Sequence, residues 1–204
     1  MSPAQTVIGA DGQPRCHWCA AAPEFEAYHD HEWGFPVDDD IRLFEKLCLE
    51  GFQSGLSWRT ILAKRENFRR AFANFDFHRV ARFDRKKVDS LLRDESIVRH
   101  RGKIEAVIHN ASRAVSLQSE CGSLAAYFWR FEVDPAHAAP PQSVTTSTEA
   151  AALSKDLKKR GWRFVGPTTA YAFMQAMGLV NDHAAACVVA KRVAQSRKAF
   201  RKPK

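Results

Sequence analysis

Apolar residues recur along most of the chain at intervals of three and four, whereas the alternation typical of half-buried strands is scarce. The clearest helical stripe follows the basic stretch at residues 99–103 and comprises Ile104, Val107, Ile108, Ala111 and Val115. A second stripe lies within residues 41–48, and Ser57 is positioned to cap the next helix. This periodicity predicts an all-α fold.

The C-terminal third carries clear signals for the ends of helices. The pattern predicts one helix that ends before Gly161 and another that runs from Pro167 towards Gly178. A last helix is expected to open near Asn181 or Asp182, because these residue types favour the cap position.

Composition and charge suggest how the chain is divided. Residues 133–148 are rich in Pro, Ser and Thr, which predicts a linker between two helical subregions of a single domain over residues 16–190. We expect a disordered extension over residues 1–15 and a flexible tail over residues 191–204. Seven of the eight net positive charges lie in that tail, so the high overall charge is weak evidence for nucleic-acid binding.

The predicted location is the cytoplasm. No segment approaches the roughly 18 uninterrupted apolar residues of a spanning helix, so no membrane association is expected. The first residues lack both the basic head and the apolar run of a secretory signal. Five cysteines in such a chain favour free thiols or metal ligands over a disulfide framework.

Both ends of the chain carry residue types that bind metals. These are Cys16, Cys19, His29 and His31 near the start, and His183 and Cys187 near the end. The last two are four residues apart, which would put them on one face of a helix. Two donors from each end could share a zinc ion, whereas each local pair taken alone is more often a set of ordinary core or surface residues.

The segment "LLRDESIVRHRGKIEAVIHNASRA" is typical of a helix-hairpin-helix. One helix ends, a tight basic turn that contains Gly102 follows, and an amphipathic helix begins. Such a turn presents backbone amides to a phosphate, and Arg99, Arg101 and Lys103 add positive charge. A solvated basic turn between two packed helices is the alternative.

An acid stands at the edge of an apolar helix face in "CLEGFQSGLSW". Glu50 borders the stripe beside Leu43, so its carboxylate could face a partly dry cavity rather than bulk water. Aromatic residues lie nearby in sequence, namely Phe25, Tyr28, Trp33 and Trp58. A surface acid and core aromatics are the ordinary alternatives.

Taken together, several segments resemble the bacterial 3-methyladenine DNA glycosylase I family, within the helix-hairpin-helix DNA glycosylase superfamily. They are "AYHDHEWG", "LCLEGFQSGLSW", "RHRGKIEAVIHNA", "KKRGWRFVGPTTAYAFMQAMGLVNDH" and Cys187. The resemblance covers about residues 16–187 in the family's order along the chain, which is far more specific than any single motif.

The resemblance implies one structural zinc ion per chain, which joins the N-terminal segment to the last helix. The matching ligands are Cys16, His29, His183 and Cys187, and Cys19 falls outside the pattern. Four protein ligands leave no position for an activated water, so this zinc would stabilise the fold and take no part in catalysis.

The resemblance also implies a pocket for an extruded base. Glu50 and Tyr28 match its catalytic positions, whereas Trp58, Trp18 and Phe25 match its substrate-binding aromatics. Phe25 stands where the family often has tyrosine. The implied DNA contacts come from Gly55 and Leu56, which fill the gap left by the displaced nucleotide, and from the basic hairpin at residues 99–103.

The implied reaction is hydrolysis of the N-glycosidic bond in double-stranded alkylated DNA by a monomer without lyase activity. It releases 3-methyladenine, with 3-methylguanine as a possible second product, and leaves an abasic site. Between Lys103 and Asp134 there is no Asp that could orient water, which agrees with a narrow range of labile substrates. Two alternatives are a non-catalytic DNA-binding or damage-sensing module and a zinc hydrolase with an open coordination site.

Overall fold

The computed structural model describes residues 5–203, and most of them are helical, as the periodicity predicts. The α-helices are α1 (Pro23–His31), α2 (Asp40–Gln53), α3 (Trp58–Ala63), α4 (Arg65–Ala71), α5 (Phe77–Val80), α6 (Arg85–Leu91), α7 (Arg101–Cys121), α8 (Leu124–Phe128), α9 (Thr148–Lys159), α10 (Pro167–Ala176) and α11 (Val188–Ala199). Short 3-10 helices span His17–Ala21, Ala73–Phe75 and Trp129–Phe131. Within the described residues no helix is long and apolar enough to cross a membrane.

A small antiparallel hairpin precedes the helices, where the sequence predicts disorder over residues 1–15. Its strands are β1 (Thr6–Ile8) and β2 (Pro14–Cys16). Arg15 fixes it to the helical body, because its guanidinium lies 2.7 Å from Asp11 in the turn and 2.8 Å from Asp30 in α1. Strands of three residues are too short to show alternation, so the hairpin left no pattern to detect. The first four residues of the predicted extension lie outside the described part of the chain.

Helix α2 lies at the centre of the molecule and packs against α3, α7, α8 and α10. It begins at an N-cap, since the Asp39 carboxylate accepts a hydrogen bond of 2.7 Å from the backbone N–H of Arg42. Leu43, Phe44 and Leu47 are buried on the predicted stripe. The burial continues around the helix and includes Glu50. Between residues 43 and 52 a polar group on this helix therefore faces protein or a cavity.

The predicted stripe of α7 is confirmed. Ile104, Val107 and Ala111 are buried, while Ile108 and Val115 are partly buried against the same core. Ser57 also caps α3 as predicted, and its hydroxyl accepts a hydrogen bond of 3.2 Å from the N–H of Thr60. Residues 133–147 contain no helix or strand, which agrees with the predicted linker.

The last helix differs from the prediction at both ends. It begins at Val188 rather than near Asn181 or Asp182, because those side chains bond elsewhere. The Asn181 amide donates to the carbonyl of Ala190 at 3.2 Å, and Asp182 accepts from the linker. The helix extends to Ala199, so much of the predicted flexible tail is helical.

The packing of the C-terminal segment explains why it is helical. The Arg197 guanidinium donates to the Glu132 carboxylate at 2.8 Å, and the Phe200 ring lies 4.4 Å from that of Trp129. These contacts anchor α11 and the residues after it to the 3-10 helix at Trp129–Phe131. Composition alone could not reveal such tertiary contacts.

Candidate functional site

Helices α1, α2 and α10 and the first turn of α3 surround a hollow of about 340 Å³, which we call the pocket. Its aromatic lining residues are Trp18, Tyr28, Trp33 and Trp58. Its charged lining residues are Lys46, Glu50 and Asp182. The structure therefore brings together four of the five residues that the sequence assigns to catalysis and base binding.

Glu50 lies on the side of α2 that faces the pocket, and the residue is only 6% exposed. One of its carboxylate oxygens lies 2.6 Å from the ammonium of Lys46, one helical turn earlier. The same ammonium donates a hydrogen bond of 2.9 Å to the hydroxyl oxygen of Tyr28. Glu50 is thus a buried, paired charge beside a cavity. Burying it costs desolvation free energy, and such groups are typical of binding and catalytic sites.

Lys46 was not singled out in the sequence. Its Nζ lies 3.4 Å from the centroid of the Trp58 ring and 5.2 Å from that of Tyr28, within the range of cation–π contact. Burial lowers the pKa of Lys46, and the adjacent Glu50 carboxylate opposes that effect. The signal that could have found this lysine is its spacing of four from Glu50 within an otherwise apolar helix face.

Tyr28 and Trp58 form two walls of the pocket. Their ring centroids are 5.4 Å apart and the planes are inclined by 44°. Burial, together with the Glu50 charge, raises the pKa of Tyr28 well above its ordinary value, so the phenol keeps its proton. Trp18 packs edge-on against Tyr28, with centroids 6.3 Å apart, and completes the aromatic side.

Phe25 is the predicted pocket residue that the structure does not bring to the lining. It packs with Cys19 and Ala22 in a small buried cluster, and its ring lies 5.8 Å from Trp18. It therefore supports Trp18 from behind. Sequence reasoning could not separate the two positions, because both belong to the same short N-terminal segment.

Asp182, which the sequence indicated only as a helix cap, connects the linker to the pocket. Its carboxylate accepts hydrogen bonds from the N–H of Gln142 at 2.8 Å and from the amide of Gln175 at 2.6 Å. Burial raises the pKa of Asp182. Both glutamines line the pocket, so Asp182 fixes two amide groups at its edge.

A second hollow adjoins the pocket and shares Glu50, Gln53 and Ala172 with it. Gly55 and Leu56 line this hollow. Leu56 is 42% exposed, which is unusual for a large apolar side chain here, and Gly55 has φ +77° in the tight turn before it. The exposed leucine therefore stands next to the cavity that contains Glu50.

Lys103 differs from its predicted role as a phosphate ligand. Its ammonium donates hydrogen bonds of 2.8 Å and 2.5 Å to the carbonyls of Phe52 and Ser54 at the C-terminal end of α2. Burial lowers its pKa. Lys103 satisfies carbonyls that the helix end leaves unpaired, and it thereby ties α7 to the turn that carries Leu56.

The other hairpin residues lie on the surface. Arg99 is 3.2 Å from Glu95, and Arg101 lies 3.2 Å from Asp89. Both guanidiniums are about half exposed, so these ion pairs are weak. Gly102 lies inside the first turn of α7 rather than in the connecting turn, which ends at the N-cap residue His100.

A second polar centre lies on a neighbouring face of α1. Cys16, His29 and Cys187 are buried, and one donor atom from each lies within 4.8 Å of the others. We call these three residues the cysteine–histidine cluster. Cys187 Sγ is 3.5 Å from His29 Nε2, and His29 Nδ1 is 2.7 Å from the Asp30 carboxylate. The hydrogen bond from the Cys16 thiol and that from His29 lower the pKa of Cys187, which favours the thiolate that metals bind.

His183 lies beside the cluster. The sequence predicted a helix over residues 181–187, but the structure has none there. Its ring centroid is 4.9 Å from that of His29. Burial lowers its pKa to about 4, so the imidazole is neutral. Among the residues that the structure describes, its buried Nε2 atom has no hydrogen-bond partner. An orphaned imidazole nitrogen beside two thiols and a second imidazole fits a metal-binding set.

The remaining predicted metal-binding candidates lie outside this group. Cys19 belongs to the cluster around Phe25, and His31 is exposed. The cysteine–histidine cluster joins the N-terminal hairpin to the start of α11, as the resemblance implied.

Comparison with known proteins identifies the family. The profile described as methyladenine glycosylase matches residues 18–191. DNA-3-methyladenine glycosylase 1 of Escherichia coli strain K12 is 47% identical over 177 residues, which are 85% of this chain and 95% of that protein. DNA-3-methyladenine glycosylase of Haemophilus influenzae is 45% identical over 85% of this chain and 96% of its own length.

Solved structures agree with this result. A crystal structure of 3-methyladenine DNA glycosylase I superposes with a TM-score of 0.78 at 45% identity, over 85% of this chain and 98% of that chain. The Staphylococcus aureus protein of the same name, solved in a study of 3-methyladenine recognition, gives 0.76 at 33% identity, over 90% and 94% of the two chains. The resemblance expected from the sequence is confirmed: the chain belongs to the methyladenine glycosylase family.

Proposed function

We propose that this methyladenine glycosylase excises 3-methyladenine from DNA by binding the extruded base against Trp58 and Tyr28, with Glu50 beside it. The observation that carries the assignment is the buried Glu50 carboxylate, which lines a pocket between aromatic rings. The high identity to named 3-methyladenine glycosylases over most of both chains supports the reaction.

Recognition begins with the charge of the lesion. Methylation at ring nitrogen 3 makes the adenine of DNA cationic, whereas normal adenine is neutral. A cationic ring stacked on Trp58 gains about 0.5–2 kcal/mol of cation–π attraction that a neutral ring lacks. The Glu50 carboxylate complements that charge and can accept a hydrogen bond from the exocyclic amino group.

Tyr28 has a complementary role. Its phenol remains protonated, so the hydroxyl can donate as well as accept a hydrogen bond near the base. Its ring is inclined by 44° to that of Trp58, so a flat base stacked on Trp58 would meet Tyr28 at an angle rather than face to face.

Bond breaking needs little further assistance, because the methylated base is already a good leaving group. As it departs, the sugar becomes cationic, and water adds at the former attachment point to leave an abasic site. We assign no covalent enzyme intermediate. Glu50 stabilises positive charge through this step in a site with little water, where electrostatic interactions are strong.

We also propose how the DNA is held. The exposed Leu56, on the turn at Gly55, fills the space vacated by the extruded nucleotide, and the amides at the start of α7 with Arg99 and Arg101 contact phosphates. Lys103 supports this interface from within by holding the Ser54 carbonyl. We further propose that the protein acts on double-stranded DNA as a cytoplasmic monomer.

We infer that the cysteine–histidine cluster, together with His183, binds one zinc ion. The donor set of two thiols and two imidazoles is one that structural zinc prefers, and Asp30 orients the ring of His29. Zinc held by four protein ligands would link the chain ends and supply no reacting species. Its contribution would be to folding.

Product analysis tests the proposal directly. Purified protein incubated with duplex DNA treated with a methylating agent should release 3-methyladenine, which is separated by chromatography. A smaller yield of 3-methylguanine is compatible with the proposal. Release of 7-methylguanine or oxidised bases at comparable rates would contradict the charge-based recognition, and binding without release would favour a damage-sensing module.

A further inference from the structure

One buried charge in the pocket is not used by the proposed function. The Lys46 ammonium lies 3.4 Å from the Trp58 ring centroid and 2.6 Å from the Glu50 carboxylate. These are the two groups that the proposed function assigns to a cationic base. The side chain of a lysine already occupies both.

The two cations cannot use the same places together. A distance of 3.4 Å above a ring is the distance at which a second flat ring would stack, so a base on that face of Trp58 must take the position of the ammonium. Even if the lysine moves aside, its positive charge stays within the same buried space and repels a cationic ligand more strongly than it would in water.

A purely structural explanation accounts poorly for this arrangement. An aliphatic residue would fill the same position on α2 without the cost of desolvating an ammonium, which is severe enough to lower the pKa of Lys46. Glu32 at the end of α1 is not available to Lys46 as an alternative ion-pair partner, because it is already paired with Arg65 of α4 at 2.6 Å. Lys46 is therefore held by the pocket itself.

We propose that Lys46 is a specificity-determining residue that acts as the resident cation of the pocket, so that a positively charged base binds only in exchange for its ammonium at Trp58 and Glu50. The inference rests on the proposed function. It means that the charge of Glu50 is balanced by Lys46 in the free pocket, and that the lysine weakens cationic ligands selectively while neutral ligands meet only its bulk.

The test compares two small probes that differ in charge. They are 3,9-dimethyladeninium, which carries a fixed positive charge, and 9-methyladenine, which is neutral. Calorimetric titration of Lys46→Met should show about tenfold tighter binding of the cationic probe and a change of less than about twofold for the neutral one. Lys46→Arg keeps the charge and should retain weak binding of the cationic probe.

Lys87→Met is the matched control, because Lys87 also lies over an aromatic ring, that of Phe83 at 5.2 Å, but outside the pocket. It should change neither affinity. Circular dichroism checks folding, and Lys46→Gln replaces the Met variant if the latter does not fold. Unchanged or weaker binding of the cationic probe by the folded variant would overturn the proposal and leave Lys46 as a support for Glu50.

The dependence on pH gives a second readout. Raising the pH removes the proton of Lys46 and should tighten binding of the fixed cation to the native protein, whereas Lys46→Met lacks that rise. The titratable groups around Lys46 do not titrate in the same range. Burial raises the pKa of Tyr28. Despite burial, the Glu32–Arg65 ion pair lowers the pKa of Glu32 and raises that of Arg65. A pH response retained in Lys46→Met would contradict the assignment.

The two proposals fail in different ways. If native protein releases no 3-methyladenine from methylated DNA and binds neither probe, the proposed function is wrong. If release and binding occur in the native protein but Lys46→Met binds the cationic probe no better, only the role of Lys46 is wrong.

Discussion

The pocket and the cysteine–histidine cluster lie on neighbouring faces of α1: Tyr28 lines the pocket, and the next residue, His29, belongs to the cluster. In the cluster the donor atoms converge within 4.8 Å and face one another. In the pocket the charged groups border a space of about 340 Å³. Converging donors act on the fold, whereas charges around a space act on a ligand.

The two regions nevertheless share a wall. Trp33 lines the pocket, and its ring lies 4.6 Å from that of His183 and 6.3 Å from that of His29. Trp18 likewise packs against both Tyr28 and His29. Zinc in the cluster would therefore hold the aromatic wall of the pocket in place. The comparison predicts that changes in the pocket alter function with the fold intact, and that changes in the cluster alter the fold first.

The largest functional effect is expected at Glu50. Glu50→Gln keeps the shape but removes the charge that faces the lesion, so release of 3-methyladenine by the folded protein should fall by about a hundredfold. Single-turnover release from methylated duplex DNA measures it. Glu45→Gln is the matched control, since Glu45 is buried on the same helix but pairs with Arg69 at 2.7 Å, outside the pocket. Unimpaired release by Glu50→Gln would remove the basis of the assignment.

The cluster should give the opposite result. Cys187→Ser removes one of the proposed zinc ligands and is expected to lower Tm by about 10 °C, because loss of a structural metal costs roughly 3 kcal/mol or more in a chain of this size. Differential scanning calorimetry and metal analysis measure the effect, and a strong chelator should reproduce it. Cys121→Ser is the control outside the cluster.

The fraction that remains folded should release 3-methyladenine at nearly the native rate. Activity that falls in proportion to zinc content while Tm is unchanged would mean that the metal takes part in the chemistry. That outcome would break the distinction between the two regions.

The sequence predicted those features that local patterns encode. The helical stripe at Ile104 and the cap at Ser57 depend on spacing and residue type alone, and the structure contains both. The pocket residues were predicted from the family resemblance, because no local sequence pattern indicates that Tyr28 and Trp58 are in contact. Their contact depends on how α1 packs against α3.

The misses share a physical cause, which is that tertiary partners decide the outcome. Lys103 has the charge of a phosphate ligand, but carbonyls at the end of α2 bind it. Phe25 lies one turn before Tyr28 yet packs behind Trp18. Lysine is a residue type that usually lies on the surface, but Lys46 lies in the pocket. The carbonyls that bind Lys103 lie 51 and 49 residues away in the chain, so no local pattern indicates that contact.

Trp58 offers a smaller effect that separates charge from shape. Trp58→Leu removes the stacking face, and binding of 3,9-dimethyladeninium should weaken by about tenfold, within the range of cation–π energies. Binding of 9-methyladenine should weaken less, since it loses stacking without the charge component. Calorimetric titration of both probes measures the difference, and Tm checks that the wall shared with the cluster is intact. Equal losses for the two probes would indicate that Trp58 provides shape alone.

The smallest effect is expected at Leu56, which lies on the second hollow and away from the cluster. Leu56→Ala shortens the side chain proposed to fill the duplex, so release from double-stranded DNA should fall by about threefold to fivefold, because an extruded base then returns to the stack more readily. Binding of the free probes should be unchanged, since Leu56 does not line the pocket. The ratio of release from duplex to release from single-stranded methylated DNA isolates the effect, as a single strand has no gap to fill. An equal loss on both substrates would indicate that Leu56 acts on Glu50, which lines both hollows. The functional region would then extend beyond the pocket.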